Sequence, residues 1–285
     1  TMICAALARK RNLHFLASNS LIKISLIAYL SLIFFSAAYS QESQANKEID
    51  DAIMNALNGN CEAAIPVLEK YASNKRLDDL KILSINANLN LCYLLTQNKS
   101  FKIDYINTLL DSYIKKYGVT RRYQLKSADE IDLIYSVGLM NMETKNFKKS
   151  ITYLTILRDI YEENNFHNQT YLNVLQLLLR LFNDTNNYIF AIDVGQKAQT
   201  TSTSLYGNYN ETHLNILTGL YTAYVNSFSH ERALQCLMKM LEISEKIYGE
   251  KSDYFLTILN NLYTYYSDIG SFQKSLEINK KVLGL

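Results

Sequence analysis

The 285-residue sequence has one proline, nine glycines and no tryptophan. A sheet protein of many short strands needs frequent turns, which draw on proline and glycine, so the shortage excludes that class and leaves helices as the expectation. Histidine and cysteine are scarce too, at four each. Beyond the first 40 residues the histidines are His167, His213 and His230, and none has a Cys, Asp or Glu at metal-ligand or triad spacing on the same helical face, the adjacent Glu231 apart. Glycine-rich phosphate loops, Gly-x-Ser-x-Gly and His-Glu-x-x-His are missing. These gaps predict a protein that is not an enzyme and carries no cofactor and no metal. Cys61, Cys92 and Cys236 are an odd number at unrelated spacings. That pattern fits neither a disulfide framework nor a zinc site, so each is expected to be a small buried hydrophobe.

An excess of one charge is absent as well: 29 Lys plus Arg stand against 27 Asp plus Glu, a formal charge of +2. Arg9, Lys10, Arg11 and Lys23 all precede Gln41, and the rest of the chain is close to neutral. Basic clusters do not run beyond pairs such as Lys115-Lys116 and Arg121-Arg122. A nucleic-acid partner, which calls for a basic stripe, is therefore excluded.

Leu21 to Ala38 is an apolar run preceded by Arg9-Lys10-Arg11 and followed by Ala38-Tyr39-Ser40, then by the polar Gln41-Glu42-Ser43-Gln44. Positive flank, apolar centre and small-residue end are the layout of a secretory signal peptide, with cleavage expected after Ser40. The alternative is an uncleaved anchor, since the run approaches the ~20 residues that span a bilayer. Either way the expected location is secreted, periplasmic or at the cell envelope, with membrane contact only through the N-terminal segment.

Tyr206-Gly207 recurs at Tyr248-Gly249, 42 residues on, and the register holds through Leu214/Leu256, Ile216/Ile258, Leu217/Leu259, Leu220/Leu262 and Tyr224/Tyr266. One step earlier Leu172, Val174, Leu175, Leu178, Phe182, Ala191 and Ile192 fall in line, and a shift of 41 reaches Ile134, Val137, Phe147, Ser150 and Ile151. Within each unit apolar residues recur at three and four, giving two amphipathic helices joined by a polar turn such as Asp184-Thr185-Asn186-Asn187. A lone hairpin leaves an apolar face bare, so hairpins must stack into a curved array with an inner wall. The expected organisation is a leader at 1–40, degenerate helical repeats at 41–127 and four repeats at 128–285, the last truncated.

The Gly270, Phe272, Ser275 spacing, with Leu262 and Tyr266 before it, resembles the framework of tetratricopeptide repeats (TPR). The 42-residue length, Tyr248-Gly249-Glu250-Lys251-Ser252 and Leu259-Asn260-Asn261-Leu262 look like the kinesin-light-chain variety. The resemblance implies an all-α fold of tandem helical hairpins stacked as a right-handed α-solenoid, and a scaffold binding a protein or peptide partner in its groove. Similar arrays also stand before caspase-like peptidase domains of the CHAT class, so a regulatory arm of a larger enzyme is one alternative. A self-associating envelope protein is another. The family's usual small residue in the first helix is replaced here by Leu179, Tyr221 and Tyr263.

Carried over from the family, the inner wall falls on Asn173, Gln176, Arg180 and Asn183 in one repeat. The next repeat offers Asn215, Thr218, Thr222 and Asn226, and the last offers Thr257, Asn260, Thr264 and Asp268. Such a column, polar and almost uncharged, can donate and accept together along a peptide backbone. Of the 22 tyrosines, Tyr224 and Tyr266 fall on the apolar framework, and Tyr206 and Tyr248 look like helix ends. Asn-x-Ser/Thr sequons stand at Asn98, Asn168, Asn183 and Asn210.

Overall fold

A computed structural model describes residues 44–74, 77–117 and 128–284. These residues form twelve helices and no strand. The leader lies outside them, and among the described residues no helix is long and apolar enough to cross a membrane.

Helices α1 (Gln44–Leu57), α2 (Cys61–Tyr71), α3 (Asp79–Leu95), α4 (Ile103–Tyr117) and α5 (Ala128–Glu143) belong to a first compact unit. Helices α6 (Phe147–Glu163), α7 (Gln169–Asp184), α8 (Tyr188–Tyr206), α9 (Glu211–Asn226), α10 (His230–Tyr248), α11 (Asp253–Asp268) and α12 (Phe272–Leu283) belong to a second. In the first unit α1, α3 and α5 pack side by side, with α2 and α4 between successive members. In the second, α7 lies against α9, and α8 packs on both.

One proline cannot end twelve helices, and the one present, Pro66, lies inside α2. The turns between helices instead repeat one backbone shape, with a left-handed residue at Gly59, Gln97, Lys145, Asn186, Phe228 and Gly270. In the α9–α10 turn the Phe228 N–H donates to the Val225 carbonyl at 3.1 Å, and the Ser229 N–H donates to the Tyr224 carbonyl at 2.8 Å, so the last carbonyls of α9 find donors. The first helices open on a matching device: the side chains of Asn168, Asn210 and Ser252 accept from the N–H three residues on. Tyr206 and Tyr248 do end α8 and α10, each followed by a glycine of positive φ.

The apolar register lands where the periodicity places it. Leu172, Leu214, Val174, Ile216, Ile258, Leu175, Leu217 and Leu259 are each no more than 1 % exposed. Ala191, Ala233 and Ser275 are buried at one position of successive second helices, where a small side chain lets the paired helix come close. Tyrosine hydroxyls clip neighbouring helices together: Tyr71 donates to Glu48 at 2.6 Å, Tyr171 to Glu162 at 3.0 Å, and Tyr93 and Tyr113 donate to Glu69 and Glu130. Tyr224 is buried, and Tyr266 is half-buried.

The cysteine expectation is corrected at two positions. Cys61, at the start of α2, and Cys92, near the end of α3, are joined in a disulfide with Cα atoms 5.2 Å apart. Helices that run antiparallel bring the first turn of one to the last turn of the next, a proximity that the 31-residue spacing does not reveal. Cys236 is a buried free thiol, pushed up to about 11 by burial.

Phe228 is a bulky residue at φ 59° with its side chain 81 % exposed. A left-handed conformation costs an L-residue about 1–2 kcal/mol, and glycine escapes that cost while losing some entropy of its own. Phe228→Gly is therefore expected to stabilise the second unit by about 0.5–1 kcal/mol, read as a thermal midpoint raised by roughly 1–4 °C. A lowered midpoint would show that the exposed ring packs more than its accessibility implies.

Candidate functional site

The twelve inner-wall positions lie on α7, α9 and α11, and all are exposed or half-exposed. Gln176, Arg180, Asn183, Asn215 and Thr222 come together around a depression of about 320 Å³, floored by Leu179, Ile216 and Gly219 and edged by Asp184. Asn173, Thr218, Asn226, Thr257, Asn260, Thr264 and Asp268 lie outside it.

The floor depends on a fit between one bulky residue and two glycines. Leu179 is 3 % exposed. A Cβ on Gly219 would lie 2.6 Å from its Cδ2, and a Cβ on Gly195 would lie 3.2 Å from its Cδ1. Asn183 then crosses from α7 to α9, its amide donating to the Gly219 carbonyl at 2.9 Å. The Asn183 Oδ1 is buried without a partner.

Hydrogen bonding divides the wall into spent and available groups. The hydroxyls of Thr218, Thr222, Thr257 and Thr264 each donate to the carbonyl four residues back, at 2.7–3.0 Å, and the Asn226 amide does the same at 2.8 Å. The Asn173 carbonyl oxygen accepts from Gln169 at 2.7 Å. Arg180 lies 3.6 Å from Asp184 on its own helix. No hydrogen bond within the described residues engages the Gln176, Asn215 or Asn260 side chains, which leaves their amides to water or a ligand.

The sequons serve the fold. Asn168 and Asn210 cap helices, Asn98 accepts from the Ser100 N–H at 2.8 Å, and Asn183 bridges α7 to α9. His213 is fully buried; burial, with Lys239 nearby, lowers its pKa, and its Nε2 lies 3.3 Å from Gln199. Among the described residues no group of three His, Cys, Asp or Glu could hold a metal ion.

No family model and no curated protein matches the sequence. Solved structures do match in shape. The TPR-like repeats of a kinesin light chain from Podosopora anserina align with a TM-score of 0.55 at 14 % identity, over 74 % of this chain and all of that one. BtubC (BKLC) from P. vanneervenii aligns at 0.53 and 13 % identity, over 85 % of this chain and 90 % of that one. The apo form of RapI aligns at 0.52 and 15 % identity, over 85 % of this chain and 65 % of that one. The fold is thus that of a TPR-type helical repeat protein.

Proposed function

We propose that the chain is an exported protein-interaction scaffold that holds an extended segment of a partner polypeptide over the depression between α7 and α9. The observation carrying this reading is the pair of uncommitted amides, Gln176 and Asn215, facing the same depression as Arg180. Amides that both donate and accept can satisfy a peptide backbone, and the guanidinium adds a site for a carbonyl or carboxylate. The Cys61–Cys92 disulfide supports export, since such bonds persist in oxidising compartments.

Peptide display against the full chain, followed by titration of a selected peptide, tests the site. The double variant Gln176→Ala, Asn215→Ala is expected to weaken binding roughly tenfold, at about 1 kcal/mol or less for each lost hydrogen bond, with an unchanged melting profile. Selected peptides whose affinity ignores both substitutions would remove the depression from consideration.

A further inference from the structure

The first unit contains a cavity of about 110 Å³ bounded by α1, α3 and α5. It is polarised along the helices. Ile53, Leu57, Leu91 and Met140 form an apolar floor, while Asp78, Asp129 and Asp132 stand where α3 and α5 begin. Lys81, the cation in the lining, is already neutralised by Asp50 on α1. Asp78 accepts from the Lys81 N–H at 2.8 Å. Among the described residues no hydrogen bond or ion pair reaches Asp129 or Asp132. Asp132 is half-buried, and burial, with Asp129 second, pushes its carboxyl up to about 6.

A half-buried carboxylate costs stability at neutral pH, and a cation set beside it offsets that cost. The volume admits one long side chain and lies far below the ~300 Å³ at the small end of pockets for drug-sized ligands. A lysine or arginine side chain has the matching polarity, an aliphatic stem and a charged head. We propose that this cavity receives a single basic side chain presented by a partner polypeptide, its stem on Leu57, Leu91 and Met140 and its head between Asp129 and Asp132. The site is separate from the depression on α7 and α9 and does not depend on it.

The test titrates the full chain, observed by NMR, with acetyl-Gly-Leu-Lys-Leu-Gly-amide and with analogues carrying norleucine or glutamate in place of lysine. The lysine peptide is expected to bind at least tenfold more tightly than the norleucine peptide, with the glutamate peptide weaker still, and to shift the amides of Ser84 and Ser136. Asp132→Asn should weaken it about tenfold without lowering the melting midpoint, because the substitution removes a charge that burial disfavours. Ser136→Leu, which fills the cavity and leaves the carboxylates, should abolish it. The groups sharing the cavity with Asp132 are Asp129 on its own helix, Asp78 and Lys81 from α3, and Asp50 from α1 through Lys81. Affinity should therefore fall as pH drops from 7.5 to 5 and Asp132 takes a proton. Equal binding of the lysine and norleucine peptides, indifference to Asp132→Asn, or loss of binding in the Gln176→Ala, Asn215→Ala variant would overturn the proposal.

Discussion

Reduction of the Cys61–Cys92 disulfide is expected to lower the stability of the first unit by about 3–4 kcal/mol and leave the second almost unchanged. The bond closes a 31-residue separation, and by chain entropy a loop of that size constrains the unfolded state to about that extent. Both sulfurs belong to buried residues, Cys61 at 4 % and Cys92 at 0 % exposure, so the link also holds the start of α2 to the end of α3 inside packed surroundings. Helical repeats unfold through nearest-neighbour contacts, so a loss confined to α2 and α3 need not spread through the array. Calorimetry with and without reductant, and on Cys61→Ser, Cys92→Ser, should show one transition falling by roughly 12–30 °C and another holding its position. Thiol counting supplies an independent reading. In the segment from Gln41 onward, denaturation without reductant should expose only the Cys236 thiol, and reductant should add two more. Three thiols without reductant would mean that the bond does not form, and the argument for an oxidising compartment would go with it.

What could be read from the residues, and what could not, follows the range of the interactions. The 42-residue register rests on helical periodicity, a local property, and the buried series from Leu172 to Leu259 follows it. Caps and turns are equally local: Asn168, Asn210 and Ser252 open first helices, and Asn186, Phe228 and Gly270 close them. Pairing across helices is another matter. Cys61 with Cys92, and Tyr113 with Glu130, meet only because neighbouring helices run antiparallel, and a spacing alone does not fix which turns come level. The wall residues show the same division. Their place on an exposed helix face was legible, but the gathering of Gln176 with Asn215 depends on how closely α7 approaches α9. One signal was available for the rest: threonine on an exposed helix face commonly donates to its own backbone four residues back, which marks Thr218, Thr222, Thr257 and Thr264 as poor ligand donors. The cavity acids gave no motif, because Asp78 and Asp132 come from separate helices.

That close approach of α7 to α9 yields the second large expected effect. Glycine to alanine inside a helix ordinarily gains about 1 kcal/mol through backbone entropy. At Gly219 the sign should reverse. The new Cβ would stand 2.6 Å from Leu179 Cδ2 and 2.8 Å from its Cγ, and the branch-point carbon cannot swing aside as a terminal methyl can. On its other side Leu179 faces Gly195, where a Cβ would lie 3.2 Å from its Cδ1 and 2.5 Å from Leu220 Cδ2. Overpacking of this kind costs about 1–3 kcal/mol, so Gly219→Ala should lower the midpoint of the second unit by several degrees, and Gly219→Val by more. Leu179→Ala alone should also destabilise, by about 2–4 kcal/mol, through the cavity it leaves. Combined with Gly219→Ala it relieves the clash, so the pair should be less damaging than the sum of the singles, with a coupling of about 1 kcal/mol or more. Additive effects, or a Gly219→Ala variant that gains stability as an ordinary helical glycine would, would refute the notch. The same cycle bears on binding, because the Gly219 carbonyl receives the Asn183 amide and both residues shape the depression. A peptide held there should lose affinity in Gly219→Ala and recover part of it when Leu179 is shortened, a reversal that damage to stability alone would not produce.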